Sequence, residues 1–519
     1  MVALAGCGIE RRQSPNAAES KRAASPLRIN ETHSPSNPAA QITVPTLKTM
    51  RPEIACVENP ACSCSLSMLR VSMALPTGGS LPAAKARPPY AGTSLSHWQT
   101  FTNKGAVRGD YDVMTRPPRL LKPLLAGLII TLLQLAMAIG LLAPEGSLSE
   151  RYAALVQHDS HWFMNIVDRG YQTIVPPIDH KVMEVSNVAF FPAYPAIAAA
   201  FRYGLNIDTG TALLITAQLA AWGFWSYFFL FCKRWDISPA LQICGALLIA
   251  AHPAAFFLIA AYSESLFLMA LLGFIYWSTA EGRYAKFWAA IHGIVMSATR
   301  IVGIVCAAFP LVRSVFQTGR RRLVEPRLWF RQEKPAIAMT LVASFGAIGF
   351  FTYSQLRWGH WDIYMLTQAA GWGIAPDYLA VFRPSNYRWF VPALNDPTEA
   401  SQMSMTLGAV LFIAIVLCEL SIRRWAGLPI RAGIYFCAFV IYYLSVSGVA
   451  CVDMESMLRY EFSVHALIVL ALLNFLRQFQ TIPVLVRAFG IAAVALLSAA
   501  GLCVQGWYVW NFTRGNWVA

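Results

Sequence analysis

The chain has 519 residues, 56% of them hydrophobic and only 13% charged, with a mean hydropathy of +0.47. That is far too apolar for a soluble globular domain, and the apolar residues fall in runs of about 20, the length that crosses a bilayer. A net charge of +14 would point to nucleic acid in a soluble protein, but here Lys and Arg cluster in short connections between apolar runs, where they set orientation; nucleic-acid binding is set aside.

The 11 cysteines form no disulfide framework. Most stand singly inside apolar segments (Cys244, Cys306, Cys418, Cys437), where Cys acts as a small hydrophobe. Cys56, Cys62 and Cys64 have no further Cys or His at zinc-ligand spacing.

Residues 1–113 are rich in Pro, Ser, Ala, Asn and Arg and show no sustained period, so disorder is expected there. Leu4-Ala5-Gly6-Cys7 looks like a lipoprotein cleavage box but lacks the charged and apolar regions that should precede it. Met114 is the better beginning for a membrane protein, because Arg116, Arg119 and Lys122 lead directly into an apolar span, and 114–519 is read as the membrane domain. That first span covers about 121–142, with its basic flank on the cytoplasmic side.

The polar segment 143–208 is then a large outer loop that opens on His158-Asp159-Ser160-His161-Trp162-Phe163. Its apolar end, 187–202, reads as a helix in the outer interface, because a full crossing there would carry Lys233 and Arg234 outside after the next span, 209–231. Spans at 240–258 and 264–280 form a hairpin whose outer turn holds His252-Pro253 to Glu264. A single span over 284–312 would bury Arg300 and export the 313–334 connection with its seven Lys or Arg. A pair of short helices turning at Thr299-Arg300 is expected instead. Further spans follow at 335–356, 403–421, 432–450, 460–476 and 483–505, with loops 358–402 and 451–459 outside and the connections holding Arg423, Arg424, Arg431 and Arg477 inside. The expected architecture is all-α, with about eleven crossings.

One ordered set of motifs stands out: Asp159-Ser-His-Trp-Phe163, Gly170-Tyr171, Ala189-Phe-Phe-Pro-Ala-Tyr-Pro195, His252-Pro-Ala-Ala-Phe-Phe257, Ala261-Tyr-Ser-Glu-Ser-Leu-Phe267, Ala298-Thr-Arg300 and Arg459-Tyr460. Over roughly 120–475 it resembles the PIG-V family, the mannosyltransferases of GPI-anchor synthesis and their bacterial relatives, on the GT-C membrane fold. The chain departs where the family usually has Trp-Asp (His158-Asp159) and Asn-Pro or a similar pair (His252-Pro253), which leaves the acceptor open. The resemblance implies a polyprenyl- or dolichyl-phosphate-linked mannose as donor, a glycolipid or glycan acceptor, and catalysis at the extracytoplasmic face of a bacterial inner membrane, or of the ER membrane in a eukaryote.

On that reading Asp159 is the general base that takes the acceptor proton, a role worth about 10²–10⁴-fold in rate. The competing reading is a helix-terminal carboxylate. Arg300, costly inside an apolar run, is expected to hold the donor phosphate or to pair with Glu264, and Arg459 is the second phosphate candidate. Ser263 and Glu264 read first as an N-cap and a first-turn acid, with substrate contact as the other role of Glu264. Trp162, Tyr171, Phe191, Tyr194 and Tyr262 are candidate stacking faces for sugar or prenyl chain. Asp168 and Asp179 read as solvated loop acids. His158 and His161 lack a third ligand, so no metal is expected, and no cofactor beyond the lipid-linked donor. Within enzymes the alternative is a GT-C transferase for another sugar or a protein acceptor; the rival from another class is a lipid or solute transporter, which would require an internal repeat with paired broken helices.

Overall fold

The computed structural model describes residues 120–175, 185–318, 331–389, 397–422, 427–479 and 483–518. Expectations placed on 1–113, Met114, Arg116, Arg119, Asp179, residues 319–330, Arg423 and Arg424 lie outside them. Among the described residues every regular element is helical. Among these residues seven helices are long and apolar enough to cross a membrane: Leu121–Leu142, Thr209–Arg234, Lys334–Trp358, Glu399–Ser421, Leu428–Val452, Met457–Leu476 and Val484–Phe512. This is the architecture of a polytopic membrane protein.

Helix α1 (Leu121–Ala136) continues as a π turn and stops before Pro144, which cannot extend it. Ser147 and Glu150 form a capping box at the start of α2 (Leu148–Ala153). The opening motif begins α3 (Asp159–Arg169), which ends at Gly170 with φ +75°. Next come α4 (Ala193–Leu205), which packs against α3 and α5 (Thr209–Arg234). Helices α5, α7 (Glu264–Ser278) and α15 (Met457–Leu476) are buried on nearly all sides, as their all-round apolar sequences require. By contrast α16 (Val484–Phe512) exposes Leu485, Phe489, Leu496 and Leu497, a surface suited to lipid.

Three expectations change. The 240–258 span is not one helix: α6 (Pro239–Ala250) stops early, and an irregular, almost entirely buried segment leads to Ser263. Pro253 disfavours helix at His252, and the freed backbone finds partners elsewhere. Ala261 N–H donates to Leu155 O (3.2 Å), Ser160 Oγ to Ala261 O (3.0 Å), and Gln505 Nε2 to Ala250 O (3.0 Å) and His252 O (2.6 Å). Irregular backbone is tolerated at such depth only where protein satisfies it. The 358–402 loop contains α12 (Ile363–Trp372) and two 3₁₀ turns. Arg431, counted as a connection charge, is instead fully buried in α14 (Leu428–Val449), where Nε and the terminal nitrogen donate to Glu419 at 2.5 and 2.9 Å.

The chain does break at Arg300. Helix α8 (Ala285–Thr299) ends there in extended backbone (φ −149°, ψ 145°), before α9 (Val302–Cys306) and α10 (Phe309–Thr318). Helix α8 packs on α7 and on α11 (Lys334–Trp358). Small residues allow the second approach: a Cβ at Gly346 would lie 2.1 Å from Ile294 O, and Ser297 Oγ donates to Ala343 O at 2.6 Å. Gly346→Val is therefore expected to lower thermal stability in detergent by about 1–3 kcal/mol. Gly349→Ala on the same helix, where a Cβ meets nothing within 4 Å, should leave it unchanged or raise it by up to about 1 kcal/mol.

Candidate active site

Four charged residues arrive from four helix termini. Asp159 opens α3, Glu264 opens α7, Arg300 follows α8 and Arg459 lies in the first turn of α15. Arg459 donates through a terminal nitrogen to Asp159 Oδ2 at 2.6 Å, and its Nε lies 3.2 Å from Glu264 Oε1. Arg300 donates to the same oxygen of Glu264. The result is a chain of alternating charge, Asp159–Arg459–Glu264–Arg300. Burial is graded along it: the Glu264 side chain is 0% exposed and Arg459 8%, while Arg300 (15%) and Asp159 (21%) reach the edge. The inner charges are held by each other, and the outer two remain within reach of a ligand.

Aromatic rings enclose the guanidinium groups. Arg459 lies 5.2 Å from the Tyr262 ring centre, 5.4 Å from Tyr460 and 5.8 Å from Phe257. Arg300 lies 5.5 Å from the centre of the same Tyr460 ring, which the two guanidinium groups share. These contacts favour cations in a dry setting. Three polar groups in the array are enclosed without a hydrogen-bond partner: the Tyr262 hydroxyl, Glu264 Oε2 and Arg459 Nε, whose approach to Glu264 is an ion-pair contact only. Unpaired buried groups of this kind are expensive, and they are commonest where a water or ligand completes the site.

Backbone strain gathers at the same place. Six non-glycine residues among those described have positive φ, and four of them lead into the array: His158 (51°) directly before Asp159, and Asp453 (52°), Met454 (63°) and Ser456 (68°) before Arg459. Such conformations persist only where surrounding structure enforces them, and they cluster at functional sites.

The structure joins Asp159, Glu264, Arg300, Arg459 and Tyr262, and it separates the other candidates. Trp162 stacks near Phe190 (6.2 Å) and meets Trp372 edge-on (5.6 Å), forming a half-buried aromatic flank on α3. Tyr171 donates to Phe190 O (2.8 Å) and packs with Phe350 (5.4 Å). Phe191 is buried with Phe350 and Tyr364 in that second cluster. Tyr194 is fully enclosed and its hydroxyl is used by Leu213 O (2.9 Å), so it offers no stacking face. Ser263 occupies the N-cap of α7 without a capping hydrogen bond, so the capping reading of Ser263-Glu264 gives way to the double ion pair. Asp168 belongs to α3 rather than a loop and accepts from Thr209 Oγ1.

Residues beyond the expected set also contribute. Trp517, near the C-terminus, sits 6.0 Å from Arg459 and 5.1 Å from the His158 ring. Nothing in its local sequence signals this, because the contact with His158 is made across 359 residues. His158 packs against aromatic rings and His161 is exposed, so the two do not converge as ligands. Three possible metal ligands do come together elsewhere, at His252, Glu461 and His465. The chain matches no protein-family model and no curated protein.

Removing the inner carboxylate leaves two guanidinium groups short of a counter-ion. Glu264→Gln should therefore cost about 3–5 kcal/mol in detergent melts, whereas Asp159→Asn, at the accessible edge, should cost about 1 kcal/mol or less. A pH effect is also expected. Burial holds His158 below its ordinary value of 6.5, so the unfolded chain takes a proton first as pH falls through that value, and the folded state loses stability over that window. His158→Asn, which tolerates the positive φ and does not titrate there, should flatten this slope of melting temperature against pH.

Proposed function

We propose that the protein is a membrane glycosyltransferase that moves mannose from a polyprenyl- or dolichyl-phosphate carrier to a lipid- or glycan-linked acceptor at the extracytoplasmic face. The observation that carries this reading is the convergence of Asp159, Glu264, Arg300 and Arg459 from four helix ends into one partly accessible ionic array. The ordered PIG-V-like motifs supply the reaction, and the basic connections supply the side. On this reading the seven long helices are joined by four short arms, α6, α7, α8 and α9–α10, giving about eleven crossings.

The chemistry needs one base and one anion holder. The acceptor oxygen attacks the anomeric carbon as Asp159 takes its proton, and the bond from that carbon to the phosphate oxygen breaks with its electron pair leaving on the phosphate. Phosphate departs as an anion, so no general acid is required and one carboxylate suffices. Arg300 and Arg459 stabilise the charge that develops on it. At rest Arg459 occupies Asp159; a donor phosphate that draws on the guanidinium groups frees the carboxylate to act as base. The enclosed Tyr262 hydroxyl and Glu264 Oε2 are then available to sugar or acceptor hydroxyls, and the Trp162–Trp372 flank to the sugar face or prenyl chain.

One observation favours the transporter reading instead. The helical path is broken at 251–263 and again at Arg300, and broken helices beside charged groups are a feature of transporters. Incubation of the purified protein with radiolabelled polyprenyl-phosphate mannose and a membrane-lipid acceptor extract distinguishes the two. Transfer is expected from the wild type and should fall by about 10²–10⁴-fold in Asp159→Asn, with the melting temperature nearly unchanged. Movement of the lipid across vesicles without consumption of the donor would support a transporter, and near-normal turnover in Asp159→Asn would remove that residue from the mechanism.

A further inference from the structure

Glu461 is a second buried carboxylate, and it is neutralised differently from Glu264. Its side chain is 2% exposed in α15, and its ion-pair partner among the described residues is His252, whose Nε2 lies 2.7 Å from Glu461 Oε2. A carboxylate in an apolar bundle requires a nearby positive charge, supplied by a shared proton or by a metal ion. The surroundings suit a metal. Glu461 and His465 are one turn apart and share a face of α15. His252 approaches from the end of α6, with its carbonyl fixed by Gln505 of α16 (2.6 Å). The donor atoms of all three residues lie within 4.8 Å of one another, and the two imidazole centres are 4.9 Å apart.

His465 Nε2 reaches the Leu248 carbonyl at 3.2 Å. That arrangement fixes the proton on Nε2 and leaves Nδ1 as a lone-pair donor, as is common behind metal-bound histidines. His252 requires a rearrangement: the Ala254 N–H donates to its Nδ1 at 3.1 Å, so coordination through Nε2 moves the ring proton to Nδ1 and gives up that contact. Two imidazoles and one carboxylate suit a borderline divalent ion better than Mg²⁺ or Ca²⁺, which prefer all-oxygen sites.

We propose that His252, Glu461 and His465 bind a transition-metal ion of the Zn²⁺ class that clamps the end of α6 to α15. The role is structural and independent of the transferase reading. Arg459 lies two residues before Glu461, on the opposite side of α15, so a clamp at Glu461 sets the rotation with which that helix presents Arg459 to Asp159 and Glu264.

The test is a Co²⁺ titration of the full-length protein in nanodiscs after chelator treatment. One equivalent should bind saturably with the weak visible bands of nitrogen–oxygen coordination and should be displaced by Zn²⁺. Zn²⁺ should raise the melting temperature of the wild type, and His465→Ala and Glu461→Gln should each lower Co²⁺ affinity at least about 10-fold. Three outcomes would overturn the site: no saturable binding by the wild type, which is read independently of whether the variants fold; undiminished affinity in variants that do fold; or an intense thiolate charge-transfer band, which would place the ion on cysteines instead, whether Cys418, Cys451 or Cys503, exposed among the described residues, or Cys7, Cys56, Cys62 or Cys64.

Discussion

Glu264 is a fully enclosed carboxylate shared by two arginines, and the geometry of the candidate site depends on it. A lone buried acid would be neutral, and two adjacent guanidinium groups without it would repel each other. Because one oxygen serves both, the end of α8 and the start of α15 are fixed relative to the start of α7. Asp159 then completes the chain from α3. Four helices from distant parts of the sequence are thus tied at their ends by charge, while apolar packing holds their lengths.

That tie explains why so much irregular backbone lies near it. A helix that ran through Arg300, or straight on from α6 past His252, would carry these side chains away from one another. The breaks cost regular hydrogen bonds, and the replacements come from elsewhere in the chain: Leu155 and Ser160 for Ala261, Gln505 for Ala250 and His252. Left-handed backbone at His158 and at Asp453, Met454 and Ser456 is a further cost borne at the same place. Regularity is given up where charges must meet and is retained in α1, α11, α13 (Pro397–Ile422) and α16, which face outward.

The long apolar helices were legible in the sequence because one signal, sustained hydropathy, decides them. The break at Arg300 was legible as well, since a charge inside an apolar run is too costly to ignore. The end of α6 at Ala250 was hidden, because its cause, the satisfaction of a buried irregular segment by distant residues, has no local trace. Four of the key residues, Asp159, Glu264, Arg300 and Arg459, were legible as ionisable groups near helix ends. Which would pair with which was not, and neither were Trp517 behind Arg459 or the loss of Tyr194 to a hydrogen bond in the core. Arg431 shows the opposite failure: a charge that hydropathy assigns to a connection is buried against Glu419, so it carries less weight in orienting the chain than its position suggests.

If the array is the place where a lipid phosphate is held, its resting ion pairs are a closed form that the ligand must open. The most direct measurement is a structure of the protein in nanodiscs with a bound polyprenyl monophosphate. The expected result is phosphate oxygens within hydrogen-bond distance of Arg300 or Arg459, with the 2.6 Å Asp159–Arg459 contact broken and Glu264 still holding both arginines. Lipid phosphate bound elsewhere on the bundle, with the four-residue chain of ion pairs intact, would contradict the account.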